Sequence, residues 1–528
     1  MTLIERDAGA RRGAAGWIIL VAAVPLLALA ALANPDRFNP DAVGYLALAR
    51  HWYRGDWGLA ISGYWGPLFP WLAALLLPMT GDALAAGRAV MAVSGLLFLA
   101  GGMALLRALA LPAEARVAGA VCLLGFALAW SVHIMTPDLL LAALLMSGVA
   151  VALGGRSGLG LSRAVLGGAL FGLAYYAKGV ALPLGLGFAV MCGAWHLTGG
   201  VPWRVALARV VLGVAAMLAV AAPWITVLSV HYGKPTMGTT GTINLAIAGP
   251  AYTPVPGQVF LGHPAFATFH APPPGRVTAW EEPDPAAYVT WSPVADAASA
   301  RHALQLVRSN LDGTIGGLRG FDAIGLGLAA LVLGMLAVGT GLRPWQAAIA
   351  PVGMVAGIYL PVVSAPETRY LVPAYAFLVA AAAGLACTLA AAGGGRWAKL
   401  RRAAAALLVA GAFLFPLRHD IAIALLGRPN PALVAAREVA ARVQEAGVPG
   451  GIASVEELGF AAIFAAFLLD RPFQGTEAAL PPPGRFAELG TGVVLVRPGG
   501  AADQALAQQP GALRMPLRST AVAAWRLR

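Results

Sequence analysis

Trp17-Ile-Ile-Leu-Val-Ala-Ala-Val-Pro25-Leu-Leu-Ala-Leu-Ala-Ala-Leu-Ala33 carries no charge, and Asn39-Pro40-Asp41-Ala42-Val43-Gly44-Tyr45 follows a few residues later. An apolar run of that length spans a bilayer as a helix. The stretch after it delivers one carboxylate, Asp41, to the interface where the helix emerges, where a membrane enzyme would place a base acting on a lipid-borne substrate. The composition agrees with a membrane chain. Of 528 residues, 59% are hydrophobic and 11% charged, whereas a soluble domain carries about 25% charged residues. The formal charge of +12 is spread over short gaps between apolar runs, with no basic patch interleaved with aromatics. It therefore carries topology information and excludes a nucleic-acid partner. Cys122, Cys192 and Cys387 all fall inside apolar runs, so no disulfide framework is available.

Apolar runs near 17–33, 84–106, 117–135, 139–154, 164–177, 180–198, 207–230, 321–341, 346–364, 370–392 and 403–417 predict a polytopic α-helical membrane protein of about 11 spans. The pair around Lys178 is short and reads as a tight hairpin or one kinked unit. Ala28-Leu29-Ala30 resembles a signal cleavage site, but the many spans that follow favour an uncleaved first span. Every second gap is basic: Arg6, Arg11 and Arg12, then Arg107 and Arg116, Arg156 and Arg163, Arg204 and Arg209, Arg343, and Arg396 to Arg402. Those gaps are assigned to the cytoplasm with the N-terminus. The outer face then receives 34–83, the turns at 136–138 and Lys178, the loop 231–320, residues 365–369 and the tail.

In the first outer loop, Asp41 to Tyr53 has the period of an amphipathic helix lying along the interface. Leu68 to Leu77 is apolar but too short to span. The loop 231–320 is rich in Gly, Pro, Thr and aromatics, and reads as either a functional lid or a floppy connection. The chain divides into a transmembrane module, 1–417, and a small soluble α/β domain, 418–528. The latter has a helix over Pro431–Ala446, strands over Gly451–Val455, Val493–Val496 and Ala521–Leu527, and a core helix over Leu458–Leu469.

The ionisable residues within the spanning region collect at the outer ends of helices: Asp41, Asp138, Lys178, Glu367 and Arg369. Pumps and ion-coupled transporters keep such groups near mid-bilayer instead. Each has an ordinary structural role open to it. Asp41 and Asp138 are placed to cap helices, Lys178 to snorkel, and Arg369 to pair with Glu367. His133 with Asp138, or His231 with His263 and His270, shows no recognisable ligand spacing, so a metal is not required.

Five segments in order resemble one family. They are Asp41-Ala-Val-Gly-Tyr45-Leu-Ala-Leu-Ala, Tyr64-Trp-Gly-Pro67-Leu-Phe-Pro-Trp71, Thr136-Pro137-Asp138-Leu-Leu-Leu, Gly172-Leu-Ala-Tyr-Tyr-Ala-Lys178-Gly179 and Arg369-Tyr370-Leu-Val-Pro373. With the topology of residues 17–390, the chain resembles the GT-C superfamily of polyprenyl-phosphate-sugar-dependent glycosyltransferases. Its likeness is to the branch of the protein O-mannosyltransferases and the lipid A aminoarabinose transferase. The protein mannosyltransferases often have Asp-Glu where this chain has Asp41-Ala42, which argues against a protein mannosyltransferase proper and toward the looser bacterial relatives, with the acceptor left open.

The resemblance implies an inverting enzyme at the outer face of a bacterial inner membrane. Asp41 would act as general base, Lys178 and Arg369 would bind the donor phosphate, and Asp138, Tyr45, Tyr64, Glu367 and Tyr370 would support substrate. The implied partners are a polyprenyl-phosphate-linked sugar, the bilayer, and a lipid, glycan or protein acceptor, with no cofactor required. The competing readings are a transporter or flippase of lipid-linked sugars, an O-antigen ligase or polymerase, and a scaffold subunit whose polar residues only cap helices.

Overall fold

The computed structural model describes residues 3–154, 160–252, 266, 268–321, 343–392, 394–482 and 484–527. Seven of its helices are long and apolar enough to cross a membrane, and the chain is a multi-pass membrane protein. Helix α1 (Leu3–Ala33) is followed by α2 (Pro40–Arg54), the short α3 (Trp57–Ala60) and α4 (Leu68–Thr80). The bundle continues with α5 (Ala83–Ala108), α6 (Ala113–His133), α7 (Asp138–Leu153), α8 (Gly160–Ala177), α9 (Ala181–Thr198) and α10 (Trp203–His231). Lys178 stands in the turn between α8 and α9, so that pair is a tight hairpin. After the long loop come α13 (Ile349–Ile358), α14 (Val372–Ala391) and α15 (Ala398–Leu426), preceded in the loop by α11 (Thr240–Ile247) and α12 (Ala297–Phe321).

Small residues set the helix spacing. A Cβ on Gly168 of α8 would collide with the carbonyl of Gly213 on α10, the close backbone approach by which membrane helices pack. The span expected at 321–341 lies, but for Phe321, outside the described residues. At 346–364 the expected span is not formed as one helix: a 3-10 turn, Pro344–Ala348, leads into the ten-residue α13. Pro361 follows three residues on, and the residue before a proline is steered away from helical geometry.

The first loop also differs from its expected lie. α2 is not half-immersed: every residue from Ala42 to Ala49 is buried. α4 and α5 cover one side, and the other meets the long loop and the C-terminal region. The run Ser62 to Pro67 crosses beneath α8, where a Cβ on Gly66 would strike the carbonyl oxygens of Tyr176 and Ala177. Gly66→Ala is therefore expected to lower stability by about 1–3 kcal/mol through overpacking, read as a fall in the thermal midpoint of the purified chain. An unchanged midpoint would mean that the loop is not pressed against α8.

The C-terminal region holds a five-stranded sheet in the order β2-β1-β3-β5-β4. Its strands are β1 (Gly451–Val455), β2 (Phe473–Glu477), β3 (Thr491–Val496), β4 (Leu513–Met515) and β5 (Ala523–Arg526). β1 runs parallel to β2 and β3, while β5 is antiparallel to β3 and β4. Helices α16 (Pro431–Glu445) and α17 (Gly459–Leu469) pack together, and α17 leans on α2. Phe464 and Phe467 of α17 hold Phe38 at ring-centroid distances of 4.7 and 5.3 Å. Leu458–Leu469 is thus a core helix, as its length required.

The outer edge of β2 is not left bare. Part of the long loop runs beside it: Phe473 N–H donates to Val277 O (2.6 Å), Thr476 N–H to Phe266 O (3.1 Å), and His270 N–H to Gln474 O (3.2 Å). A loop strap on an edge strand satisfies backbone groups that would otherwise invite aggregation.

Candidate active site

Alternating helices bring the gaps after α1, α6, α8 and α10, and the gap before α14, to one end of the bundle. Asp41 lies in the first turn of α2, after Asn39 and Pro40, the latter at an early helical position suited to proline. Arg369 lies in a short 3-10 turn, Thr368–Leu371, that opens α14. The two side chains form an ion pair: Arg369 Nη1 donates to Asp41 Oδ2. Arg369 Nη2 donates to Glu367 Oε1 at 2.6 Å, and the Tyr370 hydroxyl donates to the same oxygen at 3.1 Å. The other oxygen of Asp41 accepts from the Trp280 indole at 3.3 Å. Burial pushes the Asp41 carboxyl up. The Arg369 charge and hydrogen bond, the Trp280 bond and the charge of Lys178 outweigh it and hold the group below its ordinary 3.8.

Lys178 and Asp138 make the second pair, Nζ to Oδ1 at 2.6 Å, and the Thr136 hydroxyl donates to Asp138 Oδ2 at 2.5 Å. The Lys178 amine also stands 5.4 Å from the centroid of the Tyr370 ring, which places it on the Arg369 side of the cluster. Tyr370 stacks on Tyr359 at 4.5 Å. Because Asp138 is 2% exposed, Lys178→Met is expected to strand a buried carboxylate and to cost about 3 kcal/mol in chemical denaturation. Adding Asp138→Asn should restore part of that loss. A double variant no more stable than the single one would show that the pair is not what holds this corner.

The residues singled out in the sequence fall into two groups. Asp41, Arg369, Glu367, Tyr370, Lys178 and Asp138 form one polar cluster. Tyr64 is half-buried, stacks near Trp280 at 4.7 Å and donates its hydroxyl to Asn244 Oδ1 at 3.2 Å. Burial, then the negative charge of Asp41, pushes its phenol well above the usual range. Tyr45 is set apart. It is 1% exposed, its ring wedged between Trp65 (4.5 Å) and Phe69 (5.4 Å). Among the described residues, no three His, Cys, Asp or Glu side chains converge as a ligand set. His133 packs on Trp130, His231 bonds Glu282 and His270 bonds its own loop, while His263 lies outside the described residues.

Trp280 is the site residue that sequence reasoning missed, and a buried network aims it. Glu281 is fully buried; its carboxylate accepts from the backbone N–H groups of Val277 (2.7 Å) and Thr278 (3.0 Å) and meets His51 Nε2 of α2 at 3.1 Å. Arg276 lies 3.6 Å from Glu281 and pairs with Glu282. Trp65 Nε1 donates to the Trp280 carbonyl at 2.6 Å. The available signal was the Thr278-x-x-Glu281 capping box, which marks an ordered turn without saying what it faces.

No protein-family model matches the chain, and no curated protein matches it in sequence. Solved structures do match. ArnT from Cupriavidus metallidurans bound to undecaprenyl phosphate gives a TM-score of 0.59 at 17% identity, over 97% of this chain and 98% of that one. The fold is GT-C-like. The same protein in the apo state gives 0.57 at 18% identity over the same shares. The Archaeoglobus fulgidus oligosaccharyltransferase in the apo form gives 0.56 at 14%, over 91% of this chain and 69% of that one. The GT-C-like likeness therefore extends over the bundle and the C-terminal sheet together.

Proposed function

We propose that this chain is a membrane glycosyltransferase that moves a sugar from a polyprenyl-phosphate donor to an acceptor hydroxyl at the outer face of the membrane, with inversion. The observation that carries the reading is the convergence of one carboxylate, Asp41, with two cations, Arg369 and Lys178, at one end of the bundle. The similarity in fold to a protein crystallised with undecaprenyl phosphate supports a lipid-phosphate donor. In this reading residues 1–417 hold the chemistry and residues 418–528 form an outer-face domain.

Asp41 takes the proton of the acceptor hydroxyl as its oxygen bonds the anomeric carbon. The bond from that carbon to the donor phosphate oxygen breaks, and the leaving polyprenyl phosphate gains negative charge. Cations placed there stabilise the transition state more than the ground state, and the guanidinium of Arg369 can fork onto two phosphate oxygens. A depressed Asp41 is ionised at neutral pH, as a base must be. Its ion pair contributes stability above about pH 3.8, the unfolded value, and that contribution is lost as pH falls through the still lower folded value. Purified chain in lipid vesicles with polyprenyl-phosphate-linked sugars and acceptor extracts should release polyprenyl phosphate and give a product of inverted anomeric configuration by NMR. Retention, or transport of intact donor without cleavage, would remove the proposal.

A further inference from the structure

We infer that the cleft between α8, α9 and α10, at the end of the bundle opposite the Asp41 cluster, binds the phosphate of an anionic phospholipid, with Arg209 as its cation. Such a site is independent of the transferase reading. Lys178 marks one end of the α8–α9 hairpin, and the cleft lies toward the other, where α8 begins, α9 ends and α10 begins. The 18 residues of α8 separate the two ends, about 27 Å of helix and so about the thickness of a bilayer core. Phe171, Cys192, His196 and Val210 line the cleft together with small residues, and Arg209 completes it.

Arg209 is 9% exposed, and among the described residues its buried Nε and Nη1 have no hydrogen-bond partner. Its guanidinium lies against Gly160, the first residue of α8, where a Cβ would strike it. Side chains tilt toward the start of their helix, so from α10 the charge is carried toward the membrane surface. A buried cation left unpaired costs several kcal/mol, and no acid is within reach. Between Asp138 and Glu281 the sequence contains neither Asp nor Glu, and Asp138 itself pairs with Lys178 at the far end. The acids that share this end of the bundle are Glu5, Asp7 and Glu114. Glu114 pairs with Arg402 of α15, and Glu5 and Asp7 belong to α1, which packs on α5, α6 and α15.

The flanks of the cleft point to the bilayer as the source of the anion. Residues three and four apart are neighbours on a helix surface. Gly193 of the cleft stands between Val190 and Leu197, Val210 stands beside Val211, and Ala164 and Gly168 stand beside Leu161 and Val165. All five of those flanking apolar side chains are exposed, so the rim of the cleft meets hydrocarbon. Trp203 opens α10, exposed, with the Arg204 guanidinium 5.5 Å from its ring, a residue type that sits at headgroup level. A soluble anion would have to cross the apolar rim. A phospholipid lays its chains along that rim and its phosphate at the mouth. Arg156, Arg163, Arg204 and Arg209 with no acid among them favour a headgroup of net negative charge.

The test takes the full chain, stripped of lipid in detergent, and titrates it with phosphatidylglycerol, phosphatidylcholine or inorganic phosphate. Phosphatidylglycerol at about a hundredfold excess over its Kd should raise the thermal midpoint by about 2–3 °C, and native mass spectrometry should find it retained on the wild-type chain. Phosphatidylcholine and inorganic phosphate at the same concentration should leave the midpoint where it was. Arg209→Met should abolish both the shift and the retention. Without lipid it should be at least as stable as the wild type, because it removes a buried charge that has no partner. Arg204→Met, at an exposed position on the same end, should keep the shift. No retained phosphatidylglycerol on the wild type, or an equal shift from phosphatidylcholine or inorganic phosphate, overturns the site. So does a shift lost in Arg204→Met, or an Arg209→Met chain less stable than the wild type without lipid.

Discussion

Asp41→Asn is expected to slow sugar transfer by about 10²–10⁴-fold, the usual contribution of a general base, while the chain still folds. The substitution keeps an oxygen to accept from the Trp280 indole, bonded at 3.3 Å in the native chain. It removes the charge facing Arg369, but Arg369 retains Glu367 at 2.6 Å, so its guanidinium is not abandoned. Loss of stability should therefore stay below the several kcal/mol that follow when a buried partner is left with nothing. Transfer rate and thermal midpoint measured on one preparation separate the two effects. Normal turnover in this variant would exclude Asp41 as the base. A collapsed midpoint would show that the pair chiefly supports the fold.

Removing the cation should be nearly as damaging, with a different signature. Arg369→Ala is expected to lower kcat by about 10²–10³-fold, the effect of deleting one preorganised donor to developing charge. It should also move the acidic limb of the kcat/KM profile upward. Arg369 is the main group lowering Asp41 against burial, and without it the carboxyl titrates at higher pH. Arg369→Lys should recover only part of the rate, because an ammonium cannot bridge Asp41, Glu367 and a phosphate with a planar fork. The pair also implies an order of events. While Arg369 holds Asp41 Oδ2, that oxygen is not available to an acceptor. A donor phosphate that draws the guanidinium away frees it and makes it a stronger base. An acidic limb that stays in place in Arg369→Ala would contradict this coupling.

Much of the cluster was legible because charge in an apolar chain is scarce. Asp41, Asp138, Lys178 and Arg369 each interrupt hydrocarbon at a gap that the lysine and arginine bias assigns to one face, and alternating helices bring such gaps together. Less legible was what covers them. In α2 the periodicity of Val43, Leu46 and Ala47 marked one buried face. The small residues Ala42, Gly44 and Ala49 between them are equally at home exposed or packed, and here α4, α5 and the long loop enclose them. β2 escaped because Phe-Gln-Gly-Thr-Glu lacks an apolar alternation; its polar side chains are buried and bonded, Gln474 to Thr491 at 2.7 Å. Trp280 lies 239 residues from Asp41, and no local pattern encodes a bond across that separation.

The strap along β2 also sets an order of assembly for the long loop. The turn that aims Trp280 begins at Val277 and Thr278, yet the segment leading into it is anchored by residues translated far later, as when Phe269 N–H bonds Glu477 across 208 positions. While the ribosome is still short of that strand, the backbone of this segment has no sheet edge to bond, although His51 and Trp65, which hold the Trp280 turn, are already made. The turn can seat early, and its lead-in is fastened only when β2 emerges.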